Sequence, residues 1–164
     1  TKPDAGTTPA TPQPETCNGI DDDLNGHIDD VGCPVPPIES EDKKRVYLIF
    51  EESVTREVAK NLCKDRGYHL VTIETQTENL FLASKITEVH WIGLTSPGHE
   101  DGKDNFVWDD GTPRSDFRPW GKFTSEPNNA FGFAENCAYV NANNGDWLDG
   151  TCTETHPLIC EAGP

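Results

Sequence analysis

Glu126, Asn128, Glu135 and Asp149 are the residues most able to do chemistry. They are three carboxylates and one amide oxygen, spread over twenty-four positions and bracketed by Trp147, Cys137 and Cys152. Three like charges held close repel one another unless a cation sits among them. Hard oxygen donors in that number suit Ca²⁺, which takes six to eight oxygens in irregular geometry. Pro127 lies between the first two donors, and X-Pro is the one linkage at which a cis peptide is inexpensive.

A second set of donors stands near the start of the chain. "DDDLNGHIDD" has Asp21, Asp23, Asn25 and Asp29 at the first, third, fifth and ninth places of a calcium loop, with His27 at the seventh. Gly26 occupies the sixth, where the chain must turn sharply, and Ile28 the eighth, where it can anchor the loop inward. The twelfth place is Gly32 where an EF-hand has its bidentate Glu, so Asp30 is the available substitute. Cys17 and Cys33 bound this unit. Its other reading is an acidic tether, because without a metal it has little apolar surface with which to fold.

Charge and composition bound the partners. The net charge of -16 repels a phosphate backbone and excludes nucleic acid as the expected ligand. No apolar run is long enough to cross a bilayer. The chain has no methionine and no signal peptide, as expected of a processed mature form. Six cysteines without a CxxC pair point to disulfides, an oxidising compartment and a secreted or cell-surface protein. There is no Asn-x-Ser/Thr acceptor.

Enzymatic readings find little. GxSxG, HExxH and a Gly-rich phosphate loop are all absent. The histidines (His27, His69, His90, His99 and His156) are scattered, and the paired carboxylates that could hydrolyse glycosides are better used on calcium. The expectation is that the protein is not an enzyme.

The elements that must position the donors can be read from pattern. Residues 1–16 form a Thr/Pro-rich linker, 17–33 the acidic unit, 34–42 a stiff connector and 43–162 a globular domain. "RVYLIF" and "YHLVTI" read as strands. Thr55 is placed to cap a helix that carries Val58, Ala59, Leu62 and Cys63 on one face and stops at Gly67. The spacing from Thr75 to Glu78 is that of a capping box, predicting a second helix to about Ile86. Short strands follow in "VHWIGLT", "NFVWDDG", "ENCAYVN", "GDWLD" and "PLICE". The class is α+β. The long stretch from Ser96 to Phe133 contains Phe106, Trp108, Phe117 and Trp120, enough aromatic surface to order it.

"WIGL" at 91–94, "EPN" at 126–128, "ENC" at 135–137, "WLDGTC" at 147–152 and "ICE" at 159–161 together resemble a C-type lectin-like domain over about residues 43–162. The resemblance implies a double-loop α+β fold with disulfides Cys63–Cys160 and Cys137–Cys152, leaving Cys17 with Cys33. It implies one Ca²⁺ on Glu126, Asn128, Glu135 and Asp149, with a cis peptide before Pro127. It also implies sugar bound through hydroxyls that complete the calcium shell and contact Glu126, Asn128 and Glu135. Glu-Pro-Asn goes in that family with mannose-type ligands. Trp91 is implied to be a core residue.

Leu148 departs from the family's Trp-Asn-Asp. It supplies neither a calcium oxygen nor a donor to sugar, a loss of about 1.5–3 kcal/mol in sugar contact; Asn144 or Asp146 would have to reach in from the adjacent turn. A calcium-stabilised adhesion or protein-interaction domain that has lost sugar binding is therefore the competing expectation. The family's second calcium position falls at Ser96, with Glu100, Asp101 and Asp104 nearby. Residues 17–33 resemble a short metal-binding motif of secreted myxobacterial proteins, which implies a bacterial source.

Overall fold

The computed structural model describes residues 11–97, 106–130 and 134–163. The elements run in the order β1 (Ile38–Glu39), β2 (Val46–Thr55), α1 (Arg56–Lys64), β3 (His69–Leu70), α2 (Gln76–Ala83), β4 (His90–Thr95), β5 (Val107–Trp108), β6 (Cys137–Val140), β7 (Trp147–Gly150) and β8 (Thr155–Ala162). Two helices and a mixed sheet make the fold α+β. The strand order is β1-β2-β8-β4-β6-β7, with β3 beside β8 and β5 beside β4. Among the described strands β4 and β8 pair in parallel, at Trp91 and Leu158, and Trp120 makes a further parallel bridge to Trp147 of β7.

The sheet is covered on both faces, so the central segments 46–50, 91–94 and 158–160 are apolar runs rather than alternating with polar residues. Tyr47, Ile92 and Ile159 face one cluster, which also takes Leu82 from α2 and Trp147 from β7. Their chain neighbours Leu48, Trp91 and Leu158 face a second cluster, which takes Ala59 and Cys63 from α1. Trp91 is fully buried and donates to the Val54 carbonyl at 2.8 Å, which makes it a core residue. His90 is also fully buried, and burial lowers its pKa.

Both helices start where the sequence puts them and differ in detail. Thr55 sits at the N-cap of α1 but makes no side-chain cap bond. Ala59 and Cys63 are buried and Leu62 is half-buried, whereas Val58 is 46% exposed. The covered stripe is centred on Ala59–Cys63 and widened by Arg56, whose guanidinium is 2.6 Å from Asp109. Thr75 caps α2, its hydroxyl accepting from Glu78 N at 3.2 Å. Glu78 does not return the bond to Thr75. Its carboxylate accepts from Glu74 N, Arg45 and the Tyr47 hydroxyl instead. The helix ends at Ala83, three residues short of expectation, as Ser84 N and Lys85 N close a tighter turn onto Phe81 O and Leu82 O.

The disulfides are Cys17–Cys33, Cys63–Cys160 and Cys137–Cys152. The connector contributes β1, paired with β2 at Ile38–Tyr47. The acidic unit is docked on the domain. Asp29, 1% exposed, accepts from Asn18 N, Gly19 N and the Tyr68 hydroxyl, the last at 2.6 Å. Gly67 lies against Asn18 so closely that a Cβ there would be 1.8 Å from the Asn18 carbonyl oxygen.

Candidate functional site

The site is built on β7. Its foundation is Trp147, whose ring meets Trp108, Phe117 and Trp120 edge-on at centroid distances of 5.5, 5.7 and 5.9 Å. Phe106 packs on Trp120 at 4.9 Å. The four aromatics of the long stretch thus form one cage around the strand that carries Asp149. Asn79 of α2 fixes Trp147 from the other side. It accepts from the indole nitrogen at 2.9 Å and donates to Gly145 O at 2.8 Å.

The segment before Glu126 is fastened to the same strand by backbone bonds. Trp147 N donates to Pro119 O at 2.8 Å, Gly121 N to Trp147 O at 2.9 Å, and Glu126 N to Gly121 O at 2.9 Å. The Glu126–Pro127 peptide is cis. These contacts bring Glu126 beside Asp149. Both are nearly buried, at 5% and 4% exposure. Burial, then the neighbouring Asp149 carboxyl and the Glu135 charge, push the Glu126 carboxyl up to about 7. Its Oε2 is buried without a hydrogen-bond partner.

The other two predicted donors lie around this pair. Glu135 accepts from Ala130 N, and its own N–H donates to the Asn129 side chain at 3.0 Å. Burial, with the Asp149 and Glu154 charges, raises its pKa. Asn128 is exposed and its amide donates to Thr124 O at 3.2 Å. Asp149 receives Asn128 N at 3.0 and 3.1 Å and Asn129 N at 3.0 Å, so one carboxylate orders the turn that carries its neighbours. Leu148 is half-buried, opposite Tyr139 on β6. Asn144 and Asp146 do not supply the missing amide, because they bond each other at 2.7 Å.

A divalent cation fits this donor set. Glu126 offers a buried carboxylate oxygen with no hydrogen-bond partner, beside two further carboxylates, which is the chemistry of a hard-cation ligand set. At the family's second calcium position Ser96 is buried with its hydroxyl unpartnered. Glu100, Asp101 and Asp104 lie outside the described residues.

The acidic unit distributes its donors differently from the linear loop. Asp21 accepts from Asn25 N and Gly26 N, at 3.1 and 2.8 Å. Asn25 bonds Asp23 and Asp30 through its amide and accepts from His27 N. The His27 ring turns out to Glu39 of β1, which raises its pKa. Asp29 faces the domain, as described. Carboxylate oxygens of Glu15, Asp23 and Asp30 lie within 4.8 Å of one another. Glu15 precedes the first cysteine, so a reading bounded by Cys17 and Cys33 missed it; its carboxylate accepts from Asp23 N and Asp29 N, both at 2.9 Å.

Among the described residues no helix is long and apolar enough to cross a membrane. Residues 52–162 match the family described as Lectin C-type domain. The C-type lectin domain family 4 member F of Mus musculus is 33% identical over 122 residues, covering 70% of this chain and 21% of its own length. Across the curated relatives named first, this chain spans under half of their length. The cow carbohydrate-recognition domain of CD23, solved in the presence of a GlcNAc2Man3 oligosaccharide, superposes with a TM-score of 0.67 at 29% identity, over 81% of this chain and 97% of that one. A calcium-independent type II antifreeze protein superposes with a TM-score of 0.66 at 25% identity, over 80% and 95%.

Proposed function

The chain belongs to the C-type lectin domain family, a family of non-enzymatic carbohydrate-binding proteins, and from that premise we propose that it is a calcium-dependent carbohydrate-binding module acting outside the cell. The observation that carries the calcium reading is Glu126 Oε2, buried and unpartnered beside Asp149. Glu126, Asn128, Glu135 and Asp149 would hold Ca²⁺. When bound, the ion supplies open coordination positions for two neighbouring sugar hydroxyls. The chain's own part is directional: Glu126 and Glu135 accept from those hydroxyls, and the Asn128 amide donates once it leaves Thr124 O. Glu126-Pro127-Asn128 is the tripeptide that the family resemblance associates with mannose-type ligands.

A second reading has its own support. Leu148 stands where a further oxygen and donor are expected, and Asp149 already receives backbone N–H groups from Asn128 and Asn129. On that reading calcium only orders the loop, and a protein is the partner. Three disulfides support an extracellular setting. The matched proteins named above with a stated organism are from mouse and cow, and the bacterial source implied by the acidic motif gains no support from them.

A glycan array run with calcium and again with chelator tests the proposal. Chelator-sensitive binding to mannose-type glycans is expected, and Leu148→Asn should strengthen it about tenfold by restoring one hydrogen bond. Silence on every glycan, together with a calcium-dependent rise in Tm, selects the protein-interaction reading.

A further inference from the structure

Phe123 is 99% exposed, the most extreme case among the large apolar residues described. An isolated exposed apolar side chain is ordinary on a protein surface. This one is set on a fastened turn three residues before Glu126. Glu126 N and the Thr124 hydroxyl both bond back to Gly121 O, at 2.9 and 3.5 Å, and Gly121 N is tied to β7. On the far side, the Asn128 amide holds Thr124 O. A Cβ at Gly121 would come within 3.1 Å of Glu126 Cγ, which shows how closely the turn folds onto the candidate ligand. Three residues span at most about 11 Å between Cα atoms, so the backbone that carries the ring is within reach of a short oligosaccharide held at Glu126.

We propose that Phe123 is the platform of a second sugar subsite, stacking on the C–H face of the hexose linked to the one held at Glu126 and Asn128. This rests on the lectin reading above and adds the ligand's size to it. Ring and sugar suit each other: the aromatic face carries negative quadrupole density, and a pyranose face offers polarised C–H groups. A ring on an ordered turn has few rotamers to lose on binding. Lys122, Thr124 and Ser125 flank it, all exposed and polar. A lone ring among polar groups matches a sugar's mixed surface, whereas a protein partner needs a broader apolar centre.

Calorimetry with methyl α-mannoside and with an α-linked mannotriose, in calcium, tests this on the whole chain. The wild type should bind the triose roughly five- to tenfold more tightly than the monosaccharide. Phe123→Ala should bind the monosaccharide as the wild type does and lose that advantage, and Phe123→Trp should keep it. Equal affinity of the wild type for both sugars overturns the subsite alone. So does a Phe123→Ala chain that keeps the triose advantage, or that weakens on both sugars alike. Failure of the wild type on both sugars, while calcium still raises Tm, overturns the lectin reading and the subsite with it.

Discussion

At Glu126 one carboxyl oxygen is kept from water with nothing to bond it, and the consequence is a pH dependence of definite sign. A carboxyl raised to about 7 in the folded chain, against its ordinary unfolded value, binds more protons folded than unfolded between those limits. Stability from this group is therefore present at low pH and is lost as pH rises toward 7. Saturating calcium reverses the order, since the ion needs the ionised form. Thermal melts from pH 5 to 8 should show Tm falling with pH in chelator and rising in calcium. Calcium affinity should drop by up to about tenfold per pH unit below 7. A calcium affinity that is flat from pH 5 to 7.5 contradicts the assignment of Glu126. Of this site, the four candidate donors stood out by residue type, and the cis peptide before Pro127, which the family resemblance implied, is present. The coupling of Glu126 to Asp149 was not legible, since it depends on how deeply both sink beside Trp147.

Between elements, Asn79 is the joint that matters most for the site. It is fully buried on α2 and bonds both Gly145 O and the Trp147 indole. Asn79→Ala leaves a buried donor and a buried acceptor unpaired, at a cost of about 2–4 kcal/mol. Urea denaturation should show that loss, with weaker calcium binding because Trp147 leads directly into Asp149. A stability change below about 0.5 kcal/mol would contradict this role. The sequence placed a helix here through Thr75 and Glu78, and the helix is present. Nothing local pointed to Asn79, whose partners lie 66 and 68 positions away. Val58 erred for a related reason: the helical period gives a stripe, but the sheet and disulfide decide where its edge falls, and Arg56 took the place with its bond to Asp109.

Across the whole molecule the long bridge and the sheet act together. Cys63–Cys160 closes 97 residues of chain, tying α1 to β8, and β8 in turn lies between β2 and β4. Replacing both cysteines by alanine should lower stability by about 4–5 kcal/mol, against about 3 kcal/mol for the pair Cys17–Cys33 with its separation of 16. Equilibrium unfolding of the two variants gives the comparison, and equal losses would contradict the loop-length argument. The α+β class and the cysteine connectivity were available from the sequence through its pattern and family resemblance. The docking of the acidic unit was not, because its fastening runs from Asp29 to Tyr68 and no pattern spans that interval.

Gly67 and Gly19 face each other along that junction, both at positive φ, with Asn18 O pressed against the one and Ala162 and Gly67 O against the other. A methyl group at position 67 would be a wedge, prising residues 17–33 off the domain while leaving every acidic side chain in place. Apart from Asp29, which is fastened to Tyr68, the loop's acids lie away from this junction, where Gly19 on the loop and Gly67 on the domain let the two surfaces meet.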